Sequence, residues 1–386
     1  MMAKKITVAL VLAAFLFASG GEALAAAYPV DVWIPYWKKE AGIAEATPNL
    51  TPIWRVHPFA YEVQPDGTLV DTWNMDEIAT DDFFLDVRAA KAKVVPTIAW
   101  HDGAEIMAVL SSSTARAEHI SVIMAHVDTY KFNGVDINYE GKPAESNPYF
   151  TLFLKELSTK LKGKKKILSC TIEPRTPLAS RFAVIPTSTE YANDYKAINK
   201  YCDEVNIMAY DQRNVDILLN AKKGKTGYYM PVADKEWVEK VIKETVKTIS
   251  AKKIRLGVAT FGYEYEVTPV APTNGTSTIS SSTLLEIIPI PSGGIVWGNN
   301  RYTKLRSLTY KDFQALSLGF DGTRARNSAG EFGATYRVGA SQRYAVMSDS
   351  MAIAQKVGLA KKYGLKGVAV WSITGENDPN LWKVLK

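Results

Sequence analysis

The chain has 386 residues, 47% of them hydrophobic and 22% charged, with a formal net charge of +6. Those proportions exclude a disordered or fibrous protein and leave room for one large domain or two ordinary ones. The lysines are scattered, apart from the run Lys164-Lys165-Lys166, which reads as a solvated turn ahead of a strand and gives no footing for nucleic acid.

At the N-terminus, Lys4 and Lys5 precede an apolar run over residues 6–18, and Ala23-Leu24-Ala25 follows as a small-x-small site. This is the layout of a secretory signal over residues 1–25. The run falls short of the ~20 residues a membrane span needs. The expected product is a secreted or periplasmic (cell-envelope) protein with no membrane span.

Short β-rich runs then recur at residues 30–37, 54–61, 94–100, 134–140, 167–172, 205–210, 254–261 and 367–373. Helix-period segments lie between most of them, clearest at 114–130, 147–161, 235–250 and 348–363. Eight strands alternating with helices predict an α/β fold, a (β/α)8 TIM barrel over residues 28–386. The stretch between the seventh and eighth strands is far longer than a crossover requires. It holds a polar loop at 272–282, Trp297, a possible helix at 310–318 and a turn-rich segment at 321–333. It reads as a small α+β insertion over residues 264–340. Cys170 lies in the fifth strand and Cys202 just ahead of the sixth; a disulfide is open to an exported chain, but a buried free thiol is the expectation for Cys170. His57, His101, His119 and His126 lack metal spacing, and His119 and His126 read as the surface of one helix.

The most informative stretch ends the fourth strand: Asn133-Gly134-Val135-Asp136-Ile137-Asn138-Tyr139-Glu140. Side chains alternate along a strand, so Asp136, Asn138 and Glu140 share one face while Val135, Ile137 and Tyr139 face an apolar layer. Buried polar groups in such a ladder are costly unless they bond to each other or to a ligand. The sixth strand ends Met208-Ala209-Tyr210-Asp211 and the eighth ends on Trp371. An acid, a phenol, a second carboxylate and an indole at strand ends suit a sugar, whose pyranose faces stack on rings. Tyr36 and Trp37, ending the first strand, are either further aromatic subsite surface or packing.

The strand-four stretch resembles the Asp-Gly-x-Asp-x-Asp-x-Glu signature of glycoside hydrolase family 18, the chitinase-like family. Met208-Ala209-Tyr210-Asp211 is similar to that family's Met-x-Tyr-Asp motif, and Trp371 to its strand-eight tryptophan. Pro58-Phe59-Ala60-Tyr61 before Pro65-Asp66-Gly67, and Ser348-Asp349-Ser350-Met351 before Tyr363-Gly364-Leu365-Lys366-Gly367, resemble the spore-type peptidoglycan glucosaminidase branch. Asn133 and Asn138 depart from the family's aspartates.

The resemblance implies a glycosidase acting on β-linked N-acetylglucosamine glycans, chitin-type or peptidoglycan, by substrate-assisted retaining catalysis. Glu140 is then the acid/base and Asn138 the orienting group for the acetamide; Asp136 is support or proton carrier, and Tyr210 donates to the acetamido oxygen. Asp211, Met208, Trp371 and Tyr36 are implied to bind substrate. No metal or cofactor is implied, since the substrate supplies its nucleophile, and a monomer is expected. Neutral Asn138 removes a like charge that would raise the pKa of Glu140. The rival reading is a weak or inactive chitinase-like carbohydrate-binding protein, motivated by Asn138.

Overall fold

The computed structural model describes residues 28–182, 185–212, 216–225, 227–270, 294–297 and 299–386. The expected signal segment and the polar loop at 272–282 lie outside them. Eight parallel strands close into a barrel: Val30–Pro35, Ile53–Val63, Thr97–Trp100, Gly134–Tyr139, Ile167–Ile172, Glu204–Ile207, Ile254–Ala259 and Gly367–Trp371. The first strand pairs with both the second and the eighth, which completes the ring. The third strand is interrupted at Pro96, whose missing N–H cannot join a ladder; Lys93–Val94 pairs separately with the second strand.

The helices expected from periodicity form at Ser113–Thr129, Asn147–Gly163, Lys235–Thr245 and Ser350–Lys362. Further helices, such as Lys39–Ala46, Ile78–Ala89 and Gly103–Ser111, fill other crossovers. Outward residues of the first strand, Val30, Val32 and Ile34, join the large core between sheet and helices. Inward Asp31 and Trp33 face the barrel axis, and their identities reveal how the interior is layered.

The lower layer is ionic. Arg55 reaches Asp31 at 3.3 Å and Glu204 at 2.8 Å, Arg255 reaches Asp31 at 2.6 Å and also pairs with Glu204, and Lys366 contacts Glu204 at 2.6 Å. Burial would raise the Asp31 carboxyl, but the guanidiniums of Arg255 and Arg55 outweigh it and hold the group far below the usual carboxylate range.

Two expectations are corrected here. Cys170 and Cys202 form a disulfide, with Cα atoms 6.1 Å apart, because parallel pairing brings the fifth strand beside the chain entering the sixth. Closing a loop with a sequence separation of 32 contributes about 3–4 kcal/mol in the chain-entropy account. His119 is buried, not on the surface. Its Nδ1–H donates to the Gly67 carbonyl at 2.5 Å, and its Nε2 accepts from the Tyr139 hydroxyl at 2.5 Å. Burial lowers its pKa to about 4, so it serves as a neutral strut behind the fourth strand. His126 is half-buried on the same helix.

After the seventh strand the chain builds a six-stranded antiparallel sheet, from Gly262–Pro269 to Ser341–Met347, ahead of the eighth. Its helix, Tyr310–Gln314, is shorter than expected and opens on a Thr309/Asp312 capping box. The turn-rich segment contains the edge strand Thr323–Arg326. Buried Glu331 joins this sheet to the barrel: it accepts from the backbone N–H groups of Val232 and Ala233 at 2.8 and 2.9 Å and pairs with Lys356 at 3.2 Å.

Candidate active site

Above the ionic layer lies Asp136, fully buried. Thr97 donates its hydroxyl to Asp136 Oδ2 at 2.9 Å, Thr171 donates at 2.9 Å, and Asn206 Nδ2 lies 3.3 Å away. Trp33 Nε1 in turn donates to Thr97 Oγ1 at 2.9 Å. Asp136 therefore stands one layer below the cleft as a saturated acceptor that ties four strands together. Asn133, at the other end of the motif, accepts from the Val94 N–H at 2.9 Å and fixes the strand's entry.

One further step up the ladder is the cleft. A cavity of about 260 Å³ is lined by Asn138, Glu140, Met208, Tyr210, Asp211 and Trp371, so six of the sequence-predicted residues converge at the strand ends. Glu140 follows the last residue of its strand, and 22% of its side chain is exposed. Gly141 turns the chain there with φ +69, a conformation open to glycine. Asn138 Nδ2 donates to Glu140 Oε1 at 3.0 Å, and its own Oδ1 is buried with no protein partner. His101 Nδ1 lies 3.8 Å from the same Glu140 oxygen.

Desolvation first, then the Glu173 carboxylate and more weakly Asp211, raise the Glu140 pKa to about 7 against the opposing Asn138 bond and Lys142. The neutral Asn138 does not leave this acid at an ordinary value. Burial also carries the Tyr210 phenol well above its usual range, so it remains a hydrogen-bond donor. Its ring fits because the neighbouring strand offers Gly257: a Cβ there would lie 3.0 Å from Tyr210 Cε1. Asp211 sits at the lip with φ +55 and accepts from the Tyr263 hydroxyl of the inserted sheet.

The floor is aromatic. Trp371 meets Trp33, Phe59 and Trp37 edge-on, with ring centroids 5.9, 5.1 and 6.3 Å apart. Trp37 is 54% exposed, so it lines the opening instead of packing inside. Tyr36 stands off the cavity wall; its hydroxyl donates to Glu62 Oε1 at 3.2 Å, and Glu62 does line the cavity.

Trp33, Phe59, Glu62, His101, Thr171 and Pro174 also border the cavity. Trp33 was recoverable by parity with inward Asp31, and His101 by its place after the third strand. Glu173 carried no signal beyond following the fifth strand.

The chain's similarities agree with this geometry. It is 23% identical over 286 residues to the uncharacterized glycosylase YvbX of Bacillus subtilis (strain 168), covering 74% of this chain and 70% of that protein. Among solved structures, a chitinase from Chromobacterium violaceum matches with a TM-score of 0.68 at 18% identity, over 93% of this chain and 98% of that one. The spore cortex-lytic enzyme SleL of Bacillus cereus matches with a TM-score of 0.66 at 17% identity, over 93% and 74%. At those identities the two structures speak for the fold. The family model for glycosyl hydrolases family 18 matches residues 57–376, most of the chain including every cavity residue except Trp33 and Trp37, and the chain belongs to that family.

Proposed function

We propose that this chain hydrolyses β-linked N-acetylglucosamine glycans of chitin or peptidoglycan type, with retention, using the substrate's 2-acetamido oxygen as nucleophile. The carrying observation is the Asn138 amide. A buried acceptor left without a partner costs about 1–3 kcal/mol, and Asn138 Oδ1 is such an acceptor at the cleft, next to the raised acid Glu140. An acetamido N–H would fill it.

In the first step Glu140 donates its proton to the glycosidic oxygen as the C1–O bond breaks, and the acetamido oxygen bonds to C1 to give an oxazolinium. Asn138 accepts the ring N–H, Tyr210 donates to the acetamido oxygen, and Trp371 stacks beneath the sugar. Glu140, now a carboxylate, takes a proton from water; the water oxygen bonds to C1 and opens the ring. The product keeps the β configuration. An asparagine carbonyl accepts the N–H but brings no full charge, so the oxazolinium is stabilised less at this position than it would be by aspartate. The export signal read from the sequence fits this substrate class, and the Cys170–Cys202 bridge fits an oxidising compartment.

An N-acetylglucosamine-derived thiazoline, which mimics the oxazolinium, tests the reading. It should inhibit in its protonated form, and Asn138→Ala should weaken it by at least tenfold more than it weakens N-acetylglucosamine itself, because the charged ring N–H is a stronger donor to Asn138 Oδ1 than the neutral acetamide N–H. If chito-oligosaccharides bind, the thiazoline does not and no product forms over days, the carbohydrate-binding reading replaces this one.

A further inference from the structure

Asn138 removes a charge from the ladder, and the neighbouring strand holds one. The fourth and fifth strands pair in parallel, with Asp136 opposite Ser169 and Ile137 opposite Cys170. Continued three residues past the last paired position, just beyond the ends of both strands, that register puts Glu173 level with Glu140, and Glu173 is close enough to push on the Glu140 carboxyl electrostatically. Thr171, two residues before Glu173, points inward onto Asp136, and strand alternation gives Glu173 the same face.

Glu173 is buried, and Asn193, also buried, donates its Nδ2–H to Glu173 Oε2 at 2.6 Å. The Tyr195 hydroxyl donates to the Glu173 carbonyl at 3.2 Å. The nearest cation along the chain, Arg175, is taken up between the rings of Tyr191 and Tyr195, 3.7 and 3.9 Å from their centroids. The carboxylate is thus built into the protein and pinned by a neutral partner.

We propose that Glu173 supplies, from strand five, the negative charge that the chain lacks at Asn138, and acts as a positioning residue that keeps Glu140 a proton donor. The inference rests on the hydrolase reading above. Other groups facing Glu140 do not replace it. His101 approaches from the third strand's exit, Tyr210 is uncharged, and Asp211, beyond the end of the sixth strand, acts more weakly than Glu173. Lys142, on the loop after Glu140, works in the opposite sense while it donates to the Tyr139 carbonyl and lies 4.7 Å over the Phe150 ring. Of the like charges around Glu140, Glu173 exerts the largest upward push. A negative charge relocated by one strand would also attract the oxazolinium, so the two asparagine departures need not cost the site its electrostatics.

The test is the titration of Glu140 in the full chain, followed by carboxyl carbon NMR with Glu140→Gln to assign the resonance, beside the pH profile of kcat/KM. Glu173→Gln retains an acceptor for Asn193, and it should lower the Glu140 midpoint and the alkaline limb by on the order of one pH unit. Adding Asn138→Asp to that variant should restore both. Glu173→Asp, which keeps the charge, should stay near wild type. Should Glu173→Gln fail to fold, Glu173→Asn, which is also neutral and keeps an acceptor for Asn193, takes its place and must lower the midpoint in the same sense.

An unmoved midpoint in Glu173→Gln, or a lowered one that Asn138→Asp does not restore, overturns the proposal; in the fallback, an unmoved midpoint in Glu173→Asn does. The NMR titration needs no turnover. An inactive wild-type protein with the expected shifts would overturn hydrolysis and retain the charge placement, whereas an active one with unmoved midpoints would do the reverse.

Discussion

Replacing Glu140 with glutamine should lower kcat by a factor of about 10²–10⁴ and leave the fold and sugar binding close to wild type. Glutamine occupies the same volume, and its Oε1 still accepts from Asn138 Nδ2, a bond 3.0 Å long in the wild-type chain. Only the proton is withdrawn. Because burial and Glu173 raise the Glu140 pKa to about 7, the acid form of the wild-type enzyme should dominate below that pH and activity should fall as the pH rises through it. The variant should show no such limb in its residual rate. Steady-state kinetics on a chito-oligosaccharide, with binding measured by calorimetry, checks both halves. A variant that keeps more than about a tenth of the wild-type rate would remove Glu140 from the acid role.

The second large effect lies at the other end of the barrel. Arg255→Met should destabilise the protein by about 3–5 kcal/mol near pH 7, the cost of leaving buried carboxylates without their partner. Arg255 is fully buried; it contacts Asp31 at 2.6 Å and also pairs with Glu204. In the wild type the Asp31 carboxyl is held below its unfolded value, so its contribution is present above that value and lost as the pH falls through the folded one. Without Arg255 that carboxyl is no longer held down to the same extent. The penalty of the substitution should then shrink as the pH is lowered toward 4, where Asp31 can take up a proton. Chemical denaturation at several pH values reads this directly. A loss under 1 kcal/mol at neutral pH would mean that Arg55 and Lys366 suffice for the layer.

These two sites were unequally legible in the sequence. Glu140, Asn138 and Asp136 announced themselves because three polar residues at period 2 cannot be explained by an apolar strand. The ionic layer did not. Asp31, Arg55, Glu204 and Arg255 are single charges in four separate strands, and only barrel closure brings them together. Glu173 was hidden for the same reason, because its relation to Glu140 is a matter of register between strands and not of spacing along one. The disulfide followed that pattern too, since Cys170 and Cys202 meet through strand adjacency. His119 was misread because helix periodicity marks a face, whereas the tie to Tyr139 and Gly67 depends on what lies behind the fourth strand. The barrel itself was legible throughout, since doubly buried strands appear as apolar runs and short crossovers leave little room for other topologies.

The central claim, substrate-assisted hydrolysis with retention, is tested most directly by following chitotetraose digestion in the proton NMR spectrum from the first minute. The account predicts that the new reducing ends appear first as the β-anomer and equilibrate later by mutarotation, and that the Glu140→Gln protein produces neither signal on that timescale. Initial release of the α-anomer would contradict it, because inversion requires direct attack by water and leaves no place for an acetamido nucleophile.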